Sequence, residues 1–93
     1  MKWFKRKEKT STLRVGDTYA VSTGALAGQL LIYMESNETE LCFISIPLQE
    51  NQKIPKETFD FGLDNCIIEY VERVPKSVRT VTRAKYDENL QRI

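Results

Sequence analysis

Histidine is absent from this chain of 93 residues, and cysteine (two), proline (three), glycine (four) and tryptophan (one) are scarce. Each shortage excludes something. Without imidazole the usual general acid or base near neutral pH is missing, so an enzyme is not expected. Zinc loses its nitrogen ligand, and Cys42 and Cys66 form no Cys-x-x-Cys pair, so no metal site is expected either. Neither thiol has a neighbour in sequence that would lower its pKa. Each lies in an apolar, strand-like run where a cysteine packs as a small hydrophobe, and a disulfide would require the two runs to be neighbouring strands. No stretch approaches the roughly 18 apolar residues of a membrane span, and the segment after the basic start is rich in Ser and Thr where a signal peptide carries its apolar centre. The expectation is a cytoplasmic, unprocessed protein without a cofactor.

What is present suits one globular domain: 41% apolar and 29% charged residues, in a length that buries about two thirds of its unfolded surface without a staple. Charge, however, comes in blocks. The first fourteen residues hold six bases (Lys2, Lys5, Arg6, Lys7, Lys9, Arg14) and one acid, Glu8, a local charge of +5. Residues 15–73 hold ten acids and three bases, a charge of −7, and the last twenty return to +3. Such blocks bear on surfaces and partners rather than on fold. Residues 1–12 show no periodic pattern beyond the pair Trp3 and Phe4 and read as a basic, flexible arm, and residues 13–93 read as a single β-rich domain.

Within that domain Leu13, Val15, Tyr19 and Val21 alternate with smaller or polar residues, the period of a half-buried strand. Residues 29–36 are apolar on both faces, as a central strand would be. Ser36, Asn37, Glu38 and Thr39 form a turn before the β-branched and aromatic run 41–46, so the two runs predict a hairpin. Pro47 stops the second strand, and residues 49–53 are expected to be a loop. Pro55 opens a short helical turn that Gly62 ends. Residues 66–74 predict another strand, with Ile68, Tyr70 and Val74 on one face and Ile67 and Val71 on the other. After Pro75 the run 78–82 fits either a helix or a strand, and the charged tail 85–92 favours a helix.

The segment Gly16-Asp17-Thr18-Tyr19-Ala20-Val21-Ser22-Thr23-Gly24-Ala25-Leu26-Ala27-Gly28 resembles the KOW motif of small SH3-like barrels. Gly16, Asp17, Tyr19, Val21, Gly24 and Gly28 fall on its positions. The resemblance implies glycine-punctuated connections in a curled sheet. It departs from RNA-binding members at Ala25, Leu26 and Ala27, where they carry bases, and at Leu31, where a further glycine would fall. RNA contact is therefore not implied for these residues. The fold class expected is mainly β within α+β: a small curled antiparallel sheet of about four strands, or an SH3-like barrel, with a short helical turn and a C-terminal helix.

Two binding surfaces follow from the residues. Phe59 and Phe61, two apart around Asp60, cannot both face inward from one helix, so one is expected at the surface, ringed by Glu57, Asp60 and Asp64. Those five residues make a candidate contact for a basic, partly apolar protein partner, with the sheet edge as a second candidate. The alternative is a nucleic-acid surface built from Lys2, Trp3, Lys5, Arg6 and Lys7 of the arm and from Arg79 and Arg83, which one helix would place on one stripe. The same arm could contact an anionic membrane surface peripherally, or act only to keep the chain in solution, and the C-terminal bases could instead pair with the acidic body.

Overall fold

The run that is apolar on both faces sits where both faces are covered, since β2 (Leu30–Ser36) is the middle strand of five. The computed structural model describes residues 13–92, in which β1 (Asp17–Val21), β2, β3 (Glu40–Ile46), β4 (Asn51–Pro55) and β5 (Ile68–Arg73) form one antiparallel sheet. Their order is β4-β3-β2-β1-β5. The sheet is open, with β4 and β5 at its edges, so the curled sheet expected from sequence has five strands and is not closed into a barrel. Two helices, α1 (Lys56–Asp64) and α2 (Lys76–Leu90), complete an α+β fold. The C-terminal segment is thus helical, as its length and charge favoured.

Strand alternation divides the apolar residues between two cores. On one face Tyr19, Leu31, Tyr33, Leu41, Phe43, Ile54 and Ile68 surround Phe59 of α1. Phe43 stacks on Phe59 at 5.4 Å and Tyr19 meets it edge-on at 5.0 Å, arrangements that suit the ring quadrupoles. On the other face Ile32, Met34, Cys42 and Ile44 pack with Val74 and with Tyr86 of α2. Four antiparallel steps separate β4 from β5, so both run in the same direction at opposite edges. The chain must cross the sheet between them, and α1 makes that crossing, touching β3, β4 and β5.

Two β-bulges change which side chains face which core. In β2 the register skips Met34, so Tyr33 opposes Phe43 and Glu35 opposes Cys42. The extra residue re-aims the strand, and Glu35 comes to lie under α2, where Tyr86 reaches it. In β5 Tyr70 opposes Tyr19 and Glu72 opposes Thr18, which leaves Val71 as the inserted residue. The phase shift corrects the expectation for 66–74: Ile68 is buried with the α1 core and Val74 with the α2 core. Tyr70 and Val71 are half exposed, because no described strand or helix covers this edge.

Other expectations are corrected as well. Residues 51–53 form an edge strand rather than a loop, pairing with Ile44, Phe43 and Cys42, since an edge strand tolerates polar residues on its open side. Cys66 is exposed in the α1–β5 connection at φ 59°, while Cys42 is buried, and their segments are not neighbours, so both remain free thiols. The β2–β3 hairpin stands as predicted: the Asn37 side-chain oxygen accepts from the backbone N–H groups of Thr39 (2.9 Å) and Glu40 (2.8 Å). Gly16 marks the other tight point. It adopts φ 99°, its N–H donates to the Tyr33 carbonyl, its own carbonyl accepts from Val74, and the Arg79 stem packs against its α-carbon. A side chain would be both strained and obstructed there.

Candidate functional site

Helix α1 follows Pro55, the last residue of β4 and the helix N-cap, with no side-chain cap bond and with Glu57 in the first turn, where negative charge suits the helix dipole. It runs past Gly62 and ends at Asn65, whose side-chain amide donates to the Phe61 carbonyl at 2.8 Å. Gly62 is not a stop signal but a close-approach residue. A β-carbon there would stand 2.6 Å from Ile68 Cδ1 and 2.8 Å from its Cγ1, so only glycine lets the helix lie this near β5.

The helical step of about 100° per residue sorts the predicted site residues into three directions. Phe59 points into the sheet and is fully buried. It is a core anchor and leaves the list of contact residues, because nothing of it reaches the surface. Phe61 stands on the crest, 62% exposed. On one side of that crest lie Thr58 and Gly62, and on the other Glu57, Asp60 and Asp64. Glu57 and Asp64 are exposed and Asp60 is half-buried.

Beside the Thr58–Gly62 flank the surface opens into a groove of about 330 Å³. It is lined by Val21 and the β1–β2 turn at Leu26, by Lys53, Ile54 and Pro55 of β4, and by Ile67 and Ile68 at the start of β5. The lining is almost wholly apolar. A groove of this character, with a few polar groups at its margin, is the ordinary form of a binding site. Its charged surroundings differ in sign: Glu57, Asp60 and Asp64 lie across the α1 crest, and Lys53 of β4 is in the lining.

The predicted aromatic and acidic residues are therefore brought together on one helix, but only Phe61 touches the groove. Sequence reasoning missed Val21, Leu26, Ile54 and Ile67. One signal was available: Ala25, Leu26 and Ala27 are apolar in a glycine-bounded turn where exposed polar residues are usual.

The C-terminal bases are engaged within the fold. Arg79 Nη1 donates to the Val74 carbonyl at 2.8 Å. Arg83 donates to the Met34 carbonyl at 3.2 Å and pairs with Glu35 at 3.5 Å and Asp87 at 3.3 Å. Arg79 and Arg83 stand one turn apart on α2, as a helix requires, and both are partly buried. Lys2, Trp3, Lys5, Arg6 and Lys7 lie outside the described residues. At the sheet edge β5 exposes Tyr70 and Val71, but the bulge and the charges of Glu69, Glu72 and Arg73 interrupt it as a pairing surface.

Among the described residues no cluster of three His, Cys, Asp or Glu side chains is placed to hold a metal, and no helix is long and apolar enough to cross a membrane. Two phenols are perturbed. Burial, with help from Asp17, pushes Tyr19 well above its ordinary value. Burial and the hydrogen bond to Glu35 do the same for Tyr86. Neither lines the groove. Comparison with family models, with curated proteins and with solved structures returns no match.

Proposed function

We propose that the protein is a small, non-enzymatic adaptor module that holds a basic, partly apolar segment of a protein partner in the groove beside Phe61. The observation that carries this reading is a large aromatic side chain left exposed at the lip of an apolar groove, although the same helix buries its neighbour Phe59 completely. An apolar side chain of the partner enters the groove against Leu26 and Ile67. Bases flanking it reach over the crest to Glu57 and Asp64, about one helical turn from Phe61. Lys53, contributed by β4, disfavours a base beside it and so biases the direction of the bound segment.

Titration of the isotopically labelled chain with a synthetic peptide carrying an aromatic pair followed by bases tests the reading. Amide shifts should concentrate at Val21, Leu26, Phe61 and Ile67, with a dissociation constant on the order of 10–100 μM for so small a contact. Phe61→Ala should weaken binding about tenfold. Shifts spread elsewhere, or affinity indifferent to Phe61→Ala, would sink the proposal. A salt-sensitive shift with single-stranded RNA that maps away from α1 would favour the nucleic-acid alternative instead.

A further inference from the structure

The chemistry that fits this groove is also written into the chain itself. Residues 1–12 lie outside the described structure, and they contain Trp3 and Phe4 followed at once by Lys5, Arg6 and Lys7. Leu13, the first described residue, packs against the same core that Leu26 and Ile67 flank. Leu13 therefore lies on the α1 side of the sheet, not on the α2 side.

We propose that in the unbound protein the groove is filled by the chain's own N-terminal segment, with the Trp3-Phe4 pair beside Phe61 and Lys5, Arg6 and Lys7 across the crest of α1. Reach permits this. Trp3 precedes Leu13 by ten residues, about 33 Å of extended chain, whereas α1 is only about 13 Å long. Charge favours it, since the +5 opening block meets Glu57, Asp60 and Asp64 on the helix that borders the groove. Proximity favours it too, because a tethered segment acts at a high effective concentration.

The inference rests on the reading of the groove as a site for basic, apolar segments and adds its resting occupant. A partner then binds by displacement, and the unbound module is self-inhibited. A partner segment must out-compete a tethered one, which raises the threshold for binding without changing the groove.

The chain has a single tryptophan, so Trp3 fluorescence in the intact protein reports this segment alone. In the folded chain its emission should be blue-shifted relative to the urea-unfolded chain and several-fold less quenched by acrylamide. Phe61→Ala should move both readings most of the way to the unfolded values. Asp64→Lys, or about 1 M salt, should do so in part. Circular dichroism confirms that the variants stay folded, as expected for exposed positions.

Trp3 emission identical to that of the unfolded chain overturns the proposal. Protection that persists unchanged in Phe61→Ala overturns it as well, because Trp3 is then buried elsewhere. Protection that grows with protein concentration assigns the occupant to a second copy and overturns the intramolecular form. The two proposals fail separately: a solvent-exposed Trp3 with intact peptide binding removes only the self-occupancy, whereas no peptide binding in Asp64→Lys or about 1 M salt, once Trp3 reads as released, removes the adaptor reading.

Discussion

The Tyr86 hydroxyl donates to Glu35 Oε2 at 2.9 Å, linking α2 to the central strand at the point where the β-bulge has turned Glu35 beneath the helix. Arg83 joins the pair, 3.5 Å from the same carboxylate and 5.6 Å from the centre of the Tyr86 ring. Tyr86 itself is 2% exposed. Glu35 is partly open to solvent, which discounts the strength of its ion pair. Tyr86→Phe should therefore cost about 1 kcal/mol, mainly the lost hydrogen bond. Tyr86→Ala should cost several times more through the cavity it leaves. Urea unfolding of both variants measures the two costs.

The same hydroxyl and that of Tyr19 make stability depend on alkaline pH. Both phenols hold their protons more tightly folded than unfolded, where they titrate near 10. Their contribution is intact below that pH and is lost as the pH rises above it, at roughly 1.4 kcal/mol per pH unit for each phenol. Phenolate absorbance and far-UV circular dichroism followed together should show these two ionising only as the sheet unfolds. In Tyr86→Phe the fall of stability above pH 10 should be shallower. An equally steep fall would contradict the assignment.

Gly62→Ala tests the close approach of α1 to β5. Alanine improves helix propensity by about 1 kcal/mol. Its β-carbon would overlap Ile68, which is 6% exposed and has little room to move. Overpacking of this kind costs about 1–3 kcal/mol, so the net effect should be destabilising. A gain in the urea midpoint would show that Ile68 adapts.

Phe59 and Phe61 separate folding from binding. Phe59→Ala should destabilise by about 3–5 kcal/mol because it empties the centre of the α1 core. Phe61→Ala should change stability by less than about 0.5 kcal/mol, as an exposed side chain does. Its effect should appear only in binding.

Asn37→Ala removes the acceptor for two backbone N–H groups at the β2–β3 turn. A loss of about 1 kcal/mol is expected. Hydrogen exchange should quicken most at Thr39 and Glu40.

Much of this architecture was legible from residue pattern. The hairpin was readable because Asn37 carries its own turn chemistry and because apolar residues flank it on both sides. The central place of β2 was readable because no half-exposed strand can be apolar on both faces. The surface position of one of the two phenylalanines followed from helical geometry alone. Where reading failed, the cause was long-range. Asn51, Gln52 and Lys53 look like a loop, and they are a strand only because β3 offers them a ladder. Gly62 looks like a helix end, and it is a helical residue pressed against Ile68. Cys66 looks like a buried strand residue, and the turn after α1 leaves it in solvent.

Local sequence by itself determined the strand periods, the Asn37 turn, the helix start just after Pro55 and the block arrangement of charge, because each depends on residues only a few positions apart. The tertiary structure alone decided the rest. Bulges at Met34 and Val71 depend on which strands pair, and they moved Glu35 beneath α2 and Val74 into the second core. The groove is assembled from the β1–β2 turn, β4, α1 and the start of β5, segments that meet only because α1 must cross the sheet to connect its two edges. No pattern within any one of those segments encodes that meeting.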